Sequence, residues 1–125
     1  IDYMLEKYQS VEALLQQKDH GYVYRGLFLD EKLAGFTGSV SEENAIFLSK
    51  LYLHRDHWLK GYGRRLLQDV IEFHGRKDYL YLTVNKYNPS VEFYRHVGFY
   101  ATDSIVTDIG SGFVMDDYVM RIDLI

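Results

Sequence analysis

The chain has 125 residues, 47% of them hydrophobic and 26% charged, which is typical of one globular domain rather than of a disordered segment. It contains no cysteine, which excludes disulfides, thiolate metal sites and a cysteine nucleophile and fits a reducing, cytoplasmic location. The formal net charge of -4 argues against a general nucleic-acid binder. No apolar run is long enough to span a membrane, so we expect neither nucleic acid nor membrane as a partner.

The N-terminal 54 residues predict a helix followed by three strands. Apolar residues recur on one helical face over residues 1–18, as one helix or as two joined at Ser10. Because the chain opens at Ile1 within this pattern, we expect residues 1–125 to form a single domain that is truncated at its N-terminus. Short polar turns separate the strands, which indicates an antiparallel meander. The predicted strands cover residues 22–29, 33–40 and 45–54.

The rest of the chain predicts a crossover unit and a terminal hairpin. The apolar period becomes helical from Gly61 to about Gly75, and the next strand makes the third and fourth strands parallel neighbours. Pro89 near the start and Gly98 past the end delimit a second helix. The class is therefore mixed α/β, with a central sheet and helices on both faces. These elements cover residues 79–84 (strand), 88–99 (helix), and 104–109 and 113–124 (strands around "GSG").

The glycines of "HWLKGYGRRLL", residues 57–67, stand where the helix begins. A dinucleotide fingerprint would need a third glycine where Leu66 stands, and the P-loop pattern is absent. An anion site at the helix N-terminus remains, with cations at Lys60, Arg64 and Arg65. The alternative is a simple turn followed by a solvated cationic face.

A second segment, "LTVNKYNPSVEFYRHVGF" over residues 82–99, follows one helix later. The order and spacing of the two segments resemble the GNAT superfamily of N-acetyltransferases, over about residues 22–123. The resemblance implies an α+β fold with a mixed, mostly antiparallel central sheet. It also implies acetyl-CoA as cofactor, with its pyrophosphate wrapped by the glycine turn.

The family's motifs map onto named positions of this chain. Trp58 stands where the family usually has Gln or Arg, so it either lies at the cofactor rim or packs against the helix start. Asn88 lies one residue closer to Tyr94 than is common, which keeps Asn85 as an alternative contact. The implied cofactor-binding residues are Leu51, Tyr52, Leu53, Trp58, Leu59, Lys60, Gly61, Tyr62, Gly63, Arg64, Asn85 and Asn88.

The resemblance also implies the chemistry of acetyl transfer. N–H groups of residues 51–53 would stabilise the oxyanion, on a strand that separates from its parallel neighbour. Tyr94 matches the family's general acid, and its alternative role is packing with Val91 and Val97. No general base is identified, and no cluster has metal-ligand spacing, so we expect no metal.

The implied function is an acetyl-CoA-dependent N-acetyltransferase acting on a small-molecule or peptide amine. Two alternatives stay open. One is a CoA-binding or regulatory module that has lost turnover, and the other is an interaction domain that uses some of the 12 tyrosines as a partner surface. The sequence leaves homodimer formation open and does not identify the acceptor.

Overall fold

The structure is a computed structural model that describes residues 21–125, and the helix predicted over residues 1–18 lies outside the described residues. Alternating apolar residues mark the strands that contribute to the core, whereas the fifth strand is exposed throughout. A short 3₁₀ helix, Arg55–His57, follows the third strand. The strands are β1 Val23–Leu29, β2 Lys32–Ser41, β3 Ala45–Leu53, β4 Tyr79–Asn85, β5 Tyr100–Gly110 and β6 Phe113–Asp123, and the helices are α1 Tyr62–His74 and α2 Ser90–Val97.

The six strands form one sheet in the order β1-β2-β3-β4-β6-β5. The predicted meander is confirmed, because β1 with β2 and β2 with β3 pair antiparallel. The predicted crossover is also confirmed, since β3 and β4 are parallel neighbours joined through α1. The sheet is therefore mixed and mostly antiparallel, as the resemblance implied.

Both described helices lie on the same face of the sheet. Leu67 and Val70 of α1 and Val91 and Tyr94 of α2 belong to one buried cluster. The same cluster contains alternate residues of the central strands, Ile46, Leu48, Leu80, Leu82, Val84 and Met120. Within residues 21–125 the helices therefore cover this one face of the sheet, whereas the sequence predicts helices on both faces.

The parallel pairing of β3 with β4 is short. It covers three residue pairs, from Ala45 opposite Tyr79 to Phe47 opposite Tyr81, although β3 continues to Leu53 and β4 to Asn85. Ser49 is an extra residue in β3 relative to β2, since Leu48 pairs with Ser39 and Lys50 with Gly38. Such a bulge bends and twists a strand, which accounts for the separation of β3 from β4.

The C-terminal hairpin is longer than the sequence suggests. β5 begins at Tyr100 rather than near Ser104, and all of its residues are exposed. The turn between the strands uses positive φ at Gly110, Ser111 and Gly112. Because Asn85 pairs with Asp117, the part of β6 before Asp117 continues beyond the end of β4.

Candidate active site

The separated ends of β3 and β4 form a gap at one edge of the sheet. The two strands are parallel, so their carboxyl ends meet at the same edge. The chain then enters α1 at Tyr62 after β3, and α2 at Ser90 after β4. Both helix N-termini therefore lie at the edge where the gap opens. The first N–H groups of α2 are bonded to Asn88 and Pro89, whereas the first hydrogen bond of α1 is that of Arg65 N–H to Gly61 O, which leaves the N–H groups of residues 62–64 for a ligand.

The glycine turn has a backbone shape suited to an anion. Leu59 has a φ of +62° and Gly61 a φ of +87°, while Lys60 between them is outside the positive-φ region. Successive N–H groups in such an alternating backbone converge to form an anion-binding concavity. The turn leads directly into the N-terminus of α1, which strengthens the preference for negative charge.

The cations of the turn differ in their surroundings. Lys60 and Arg64 are exposed, whereas Arg65 is half-buried. The Nε of Arg65 is buried and has no hydrogen-bond partner in the part of the chain that the structure describes. An unsatisfied donor of this kind requires an acceptor, and a phosphate oxygen would satisfy it.

Gly63 is required for packing between helices. A Cβ on Gly63 would lie 2.8 Å from the Cζ of Phe93, which is closer than carbon atoms approach. Phe93 precedes Tyr94 on α2, so this contact joins the glycine turn to the helix that carries the predicted acid. The sequence indicated a small residue here, but nothing in it indicated that Phe93 is the neighbour.

The indole N–H of Trp58 makes an intramolecular hydrogen bond. The Nε1 atom donates a hydrogen bond of 2.7 Å to the carbonyl oxygen of Leu53, the last residue of β3. The side chain is nevertheless 58% exposed. Trp58 therefore ties the turn to β3, and its N–H is not free for a phosphate while this bond persists.

The β3 backbone beside the gap has a defined polarity. His54 N–H donates to Ala34 O at 2.8 Å, so the hydrogen-bonded pairs with β2 fall on every second residue. By this alternation the N–H of Tyr52 points toward β2, whereas those of Leu51 and Leu53 point toward the gap. Two of the three predicted oxyanion donors therefore face the gap.

The remaining turn residue, Tyr62, packs inward. Its ring contacts the small cluster formed by Leu27, Ala34 and Leu66. Its edge also approaches His57, with ring centroids 6.0 Å apart. Only the backbone N–H of Tyr62 is thus placed for an anion.

Both candidate asparagines have local structural roles. Asn88 Oδ1 accepts hydrogen bonds from the backbone N–H and hydroxyl of Ser90, at 2.9 and 2.7 Å, and so caps α2. Asn85 Oδ1 accepts from the N–H of Tyr87 at 2.9 Å. The side-chain oxygens of both are occupied, which leaves their amide N–H₂ groups for a ligand.

Tyr94 lies beneath the two separating strands. It is 6% exposed, and its cluster includes Leu48 of β3 and Leu82 and Val84 of β4. Its hydroxyl has no hydrogen-bond partner among residues 21–125. Burial raises the pKa of Tyr94 to about 12, so the phenol stays protonated at neutral pH.

The carboxylates that precede β3 are remote from the gap. Both carboxylate oxygens of Glu42 accept from Tyr81 OH, at 3.0 and 2.8 Å. This contact lies at the start of β3, where β3 and β4 are still paired. Burial, followed by the bond to Glu42, raises the pKa of Tyr81 to about 12. Glu42 therefore holds the start of the sheet together rather than serving the gap.

The histidines beside the turn face β2. His54 Nδ1 accepts a hydrogen bond from the N–H of Asp56 at 3.2 Å, which caps the N-terminus of the 3₁₀ helix. Because β2 lies on the other side of β3 from β4, His54 and His57 are turned away from the gap. Together they line a pocket of about 230 Å³, formed by Lys32, Leu33, Ala34, His54, Asp56 and His57.

Comparison with known proteins agrees with this geometry. PaiA N-acetyltransferase from Thermoplasma acidophilum, solved in complex with coenzyme A, is 26% identical over 97% of this chain and 72% of its own, with a TM-score of 0.71. An acetyltransferase of the GNAT family from Streptococcus pneumoniae is 24% identical over 92% of this chain and 72% of its own, with a TM-score of 0.68.

The ribosomal-protein-S18-alanine N-acetyltransferase of Escherichia coli is 20% identical over 93% of this chain and 76% of its own, with a TM-score of 0.70. The similarities below 25% identity show the fold alone. No curated protein sequence matches the chain. The model of the acetyltransferase (GNAT) family, whose members use acetyl-CoA, matches residues 2–99. The chain therefore belongs to the GNAT family of acetyltransferases.

Proposed function

We propose that the protein is an acetyl-CoA-dependent N-acetyltransferase that acylates a primary amine of a small molecule or peptide by direct attack. One observation carries the proposal: β3 and β4 separate at the edge where the glycine turn, α1 and α2 all begin. The glycine turn, the gap-facing N–H groups of β3 and the helix that carries Tyr94 surround one gap, which supports the proposal.

The residues of the gap fit acetyl-CoA. The alternating turn of Leu59–Gly61 and the N-terminus of α1 would receive the pyrophosphate. The unsatisfied Nε of Arg65 is a further donor for a phosphate oxygen. Leu51 and Leu53 present backbone N–H groups to the gap. An extended chain bound there would hydrogen-bond to them as an additional strand does.

When bound, acetyl-CoA supplies the acetyl group as a thioester. The N–H groups of Leu51 and Leu53 would donate to the carbonyl oxygen as negative charge develops on it. Tyr94 would donate its proton to the sulfur as the carbon–sulfur bond breaks and the nitrogen–carbon bond forms. Because the pKa of Tyr94, about 12, lies above that of a thiol at about 8.5, Tyr94 keeps its proton until the carbon–sulfur bond breaks. Complete transfer to a thiolate is uphill by the same comparison, so the tyrosinate would regain a proton from the amine, which loses one as the amide forms, or from solvent.

Release of free thiol from acetyl-CoA tests this proposal directly. The panel should contain a peptide with a free N-terminus, an N-acetylated peptide with one lysine, and 1,4-diaminobutane. A thermal shift with CoA alone is measured in parallel, because a ligand that binds only the folded state raises its stability. Turnover that depends on an amine supports the transferase.

The two alternative functions correspond to other outcomes of the same experiment. Stabilisation by CoA without turnover on any amine indicates a CoA-binding module. No stabilisation by CoA overturns the cofactor site and leaves the interaction domain. Within residues 21–125 no helix has the length and apolar character needed to cross a membrane.

A further inference from the structure

We propose that Asp117 is the acceptor anchor: its carboxylate holds an ammonium group of a cationic acceptor on the face of the sheet opposite α1 and α2. This inference rests on the proposed function, since it assigns a specificity-determining residue to the same gap. It begins from one unsatisfied atom. Asp117 Oδ1 is buried and has no hydrogen-bond partner in the part of the chain that the structure describes.

The position of Asp117 follows from the strand register. Asp117 pairs with Asn85, the last residue of β4, at the edge where β4 has separated from β3. Its neighbour Tyr118 packs against the cluster beneath α2. Because side chains alternate along a strand, Asp117 points to the other face. The carboxylate is thus at the gap but across the sheet from the described helices.

The nearby cations do not neutralise Asp117. The buried Oδ1 of Asp116 also lacks a well-aligned hydrogen bond, but Lys86 Nζ lies 2.8 Å from it on the opposite face of β6, so Asp116 has a cationic partner. Arg121 Nε donates to Asp123 Oδ1 at 2.7 Å. In the described part of the chain, Asp117 therefore carries a partly buried charge for which no cationic partner is provided.

A cationic acceptor would complete this site chemically. A carboxylate with one buried oxygen is costly without a partner, and an ammonium group provides both charge and several N–H donors. Asp117 is half-buried as a whole, so part of the residue is open to solvent and to such a group. Ile105, which pairs with Asp117 from β5, is 42% exposed and offers apolar surface to the hydrocarbon part of the acceptor.

The experiment compares Asp117→Asn with Asp116→Asn. The two changes remove the same charge from adjacent residues, but Asp116 faces the helices and is paired with Lys86. Calorimetric titration of 1,4-diaminobutane and of the lysine peptide into protein saturated with CoA measures acceptor binding without turnover. Steady-state kinetics with the same amines separates KM from kcat, and circular dichroism checks that each variant is folded.

We expect Asp117→Asn to weaken binding and raise KM for the amine by roughly 10- to 100-fold, as for loss of a hydrogen bond between charged groups. The kcat and the affinity for CoA should stay near wild type, and Asp116→Asn should leave amine binding unchanged. Added salt should weaken amine binding to wild type more than to Asp117→Asn.

Other results would overturn the inference. Equal losses in both aspartate variants would indicate a general charge effect, and wild-type amine affinity in Asp117→Asn would exclude the anchor. Absence of amine binding by wild-type protein that binds CoA would refute the anchor while leaving the cofactor site intact. Amine binding that depends on Asp117 without any binding of CoA would refute the proposed transferase and leave the anchor.

Discussion

Gly63 and Phe93 are in contact across the two helices that border the gap: the ring of Phe93 occupies the space that any side chain on Gly63 would need. Gly63 belongs to the turn proposed to hold phosphate, and Phe93 precedes the proposed acid Tyr94. One packing contact therefore sets the distance between cofactor turn and acid. A substitution at Gly63 will change packing as well as phosphate access, so it cannot test phosphate binding alone.

The contact predicts a coupled response. Gly63→Ala should destabilise the fold by about 1–3 kcal/mol, because overpacking forces neighbours to shift. In the double variant with Phe93→Leu the loss should be smaller than the sum of the two single losses, by at least about 0.5 kcal/mol. Urea unfolding of the four proteins measures this coupling. Simple additivity would show that Phe93 moves away without cost.

Tyr94→Phe tests the acid. The hydroxyl has no hydrogen-bond partner among residues 21–125, so its removal should barely change stability or CoA affinity. Loss of a general acid should lower kcat by roughly 10²–10⁴. Tyr87→Phe is the control, since Tyr87 is 83% exposed. Wild-type turnover in Tyr94→Phe would assign Tyr94 to packing alone.

Arg65→Gln tests the phosphate contact. Its buried Nε has no partner in the described part of the chain, and loss of a charge-assisted bond should weaken CoA binding by roughly 10- to 100-fold. Arg76→Gln is the matched control, because Arg76 is exposed beyond the other end of α1. Titration calorimetry with CoA measures both, and equal affinities would contradict the contact.

Trp58 reports on the end of β3, because it is the only tryptophan in the chain. Its N–H bonds Leu53 O beside the gap, so CoA should shift or quench its emission with the affinity found by calorimetry. Trp58→Phe removes this bond and should weaken CoA binding by loosening the turn. An unchanged spectrum at saturating CoA would place the ligand away from Leu53.

His74 predicts a loss of stability in mild acid. Its Nε2 lies 2.8 Å from the hydroxyl of the buried Ser39. Burial, followed by the charges of Lys77 and Arg25, lowers the pKa of His74 below 6.5. The unfolded chain therefore takes up the proton first as the pH falls. The contribution of neutral His74 to the free energy of unfolding is thus full above about pH 6.5 and declines below it.

Urea unfolding between pH 8 and pH 5 measures the contribution of His74. The free energy of unfolding should fall less steeply with acid in His74→Gln than in wild type. The exposed His96 provides the control variant, His96→Gln, which should retain the slope of the wild type. Identical slopes in all three proteins would mean that His74 does not titrate differently on folding.

The sequence alone predicted most of the helices and strands. Alternating and helical apolar periods are local properties, and they located the strands, both described helices and the parallel crossover to within a few residues. The exception at β5 has a physical reason. Its residues are all exposed, so no apolar alternation marks where the strand starts.

The tertiary structure decided how distant residues are used. The bulge at Ser49 depends on pairing with β2. Beyond it, the backbone N–H groups of Leu51 and Leu53 point toward the gap and that of Tyr52 points away from it. The partners of Gly63 and Trp58, and the absence of a partner for Asp117 within residues 21–125, were equally invisible in the sequence. Spacing along a chain specifies which face a residue joins, whereas its neighbours across the fold depend on packing between elements far apart in sequence.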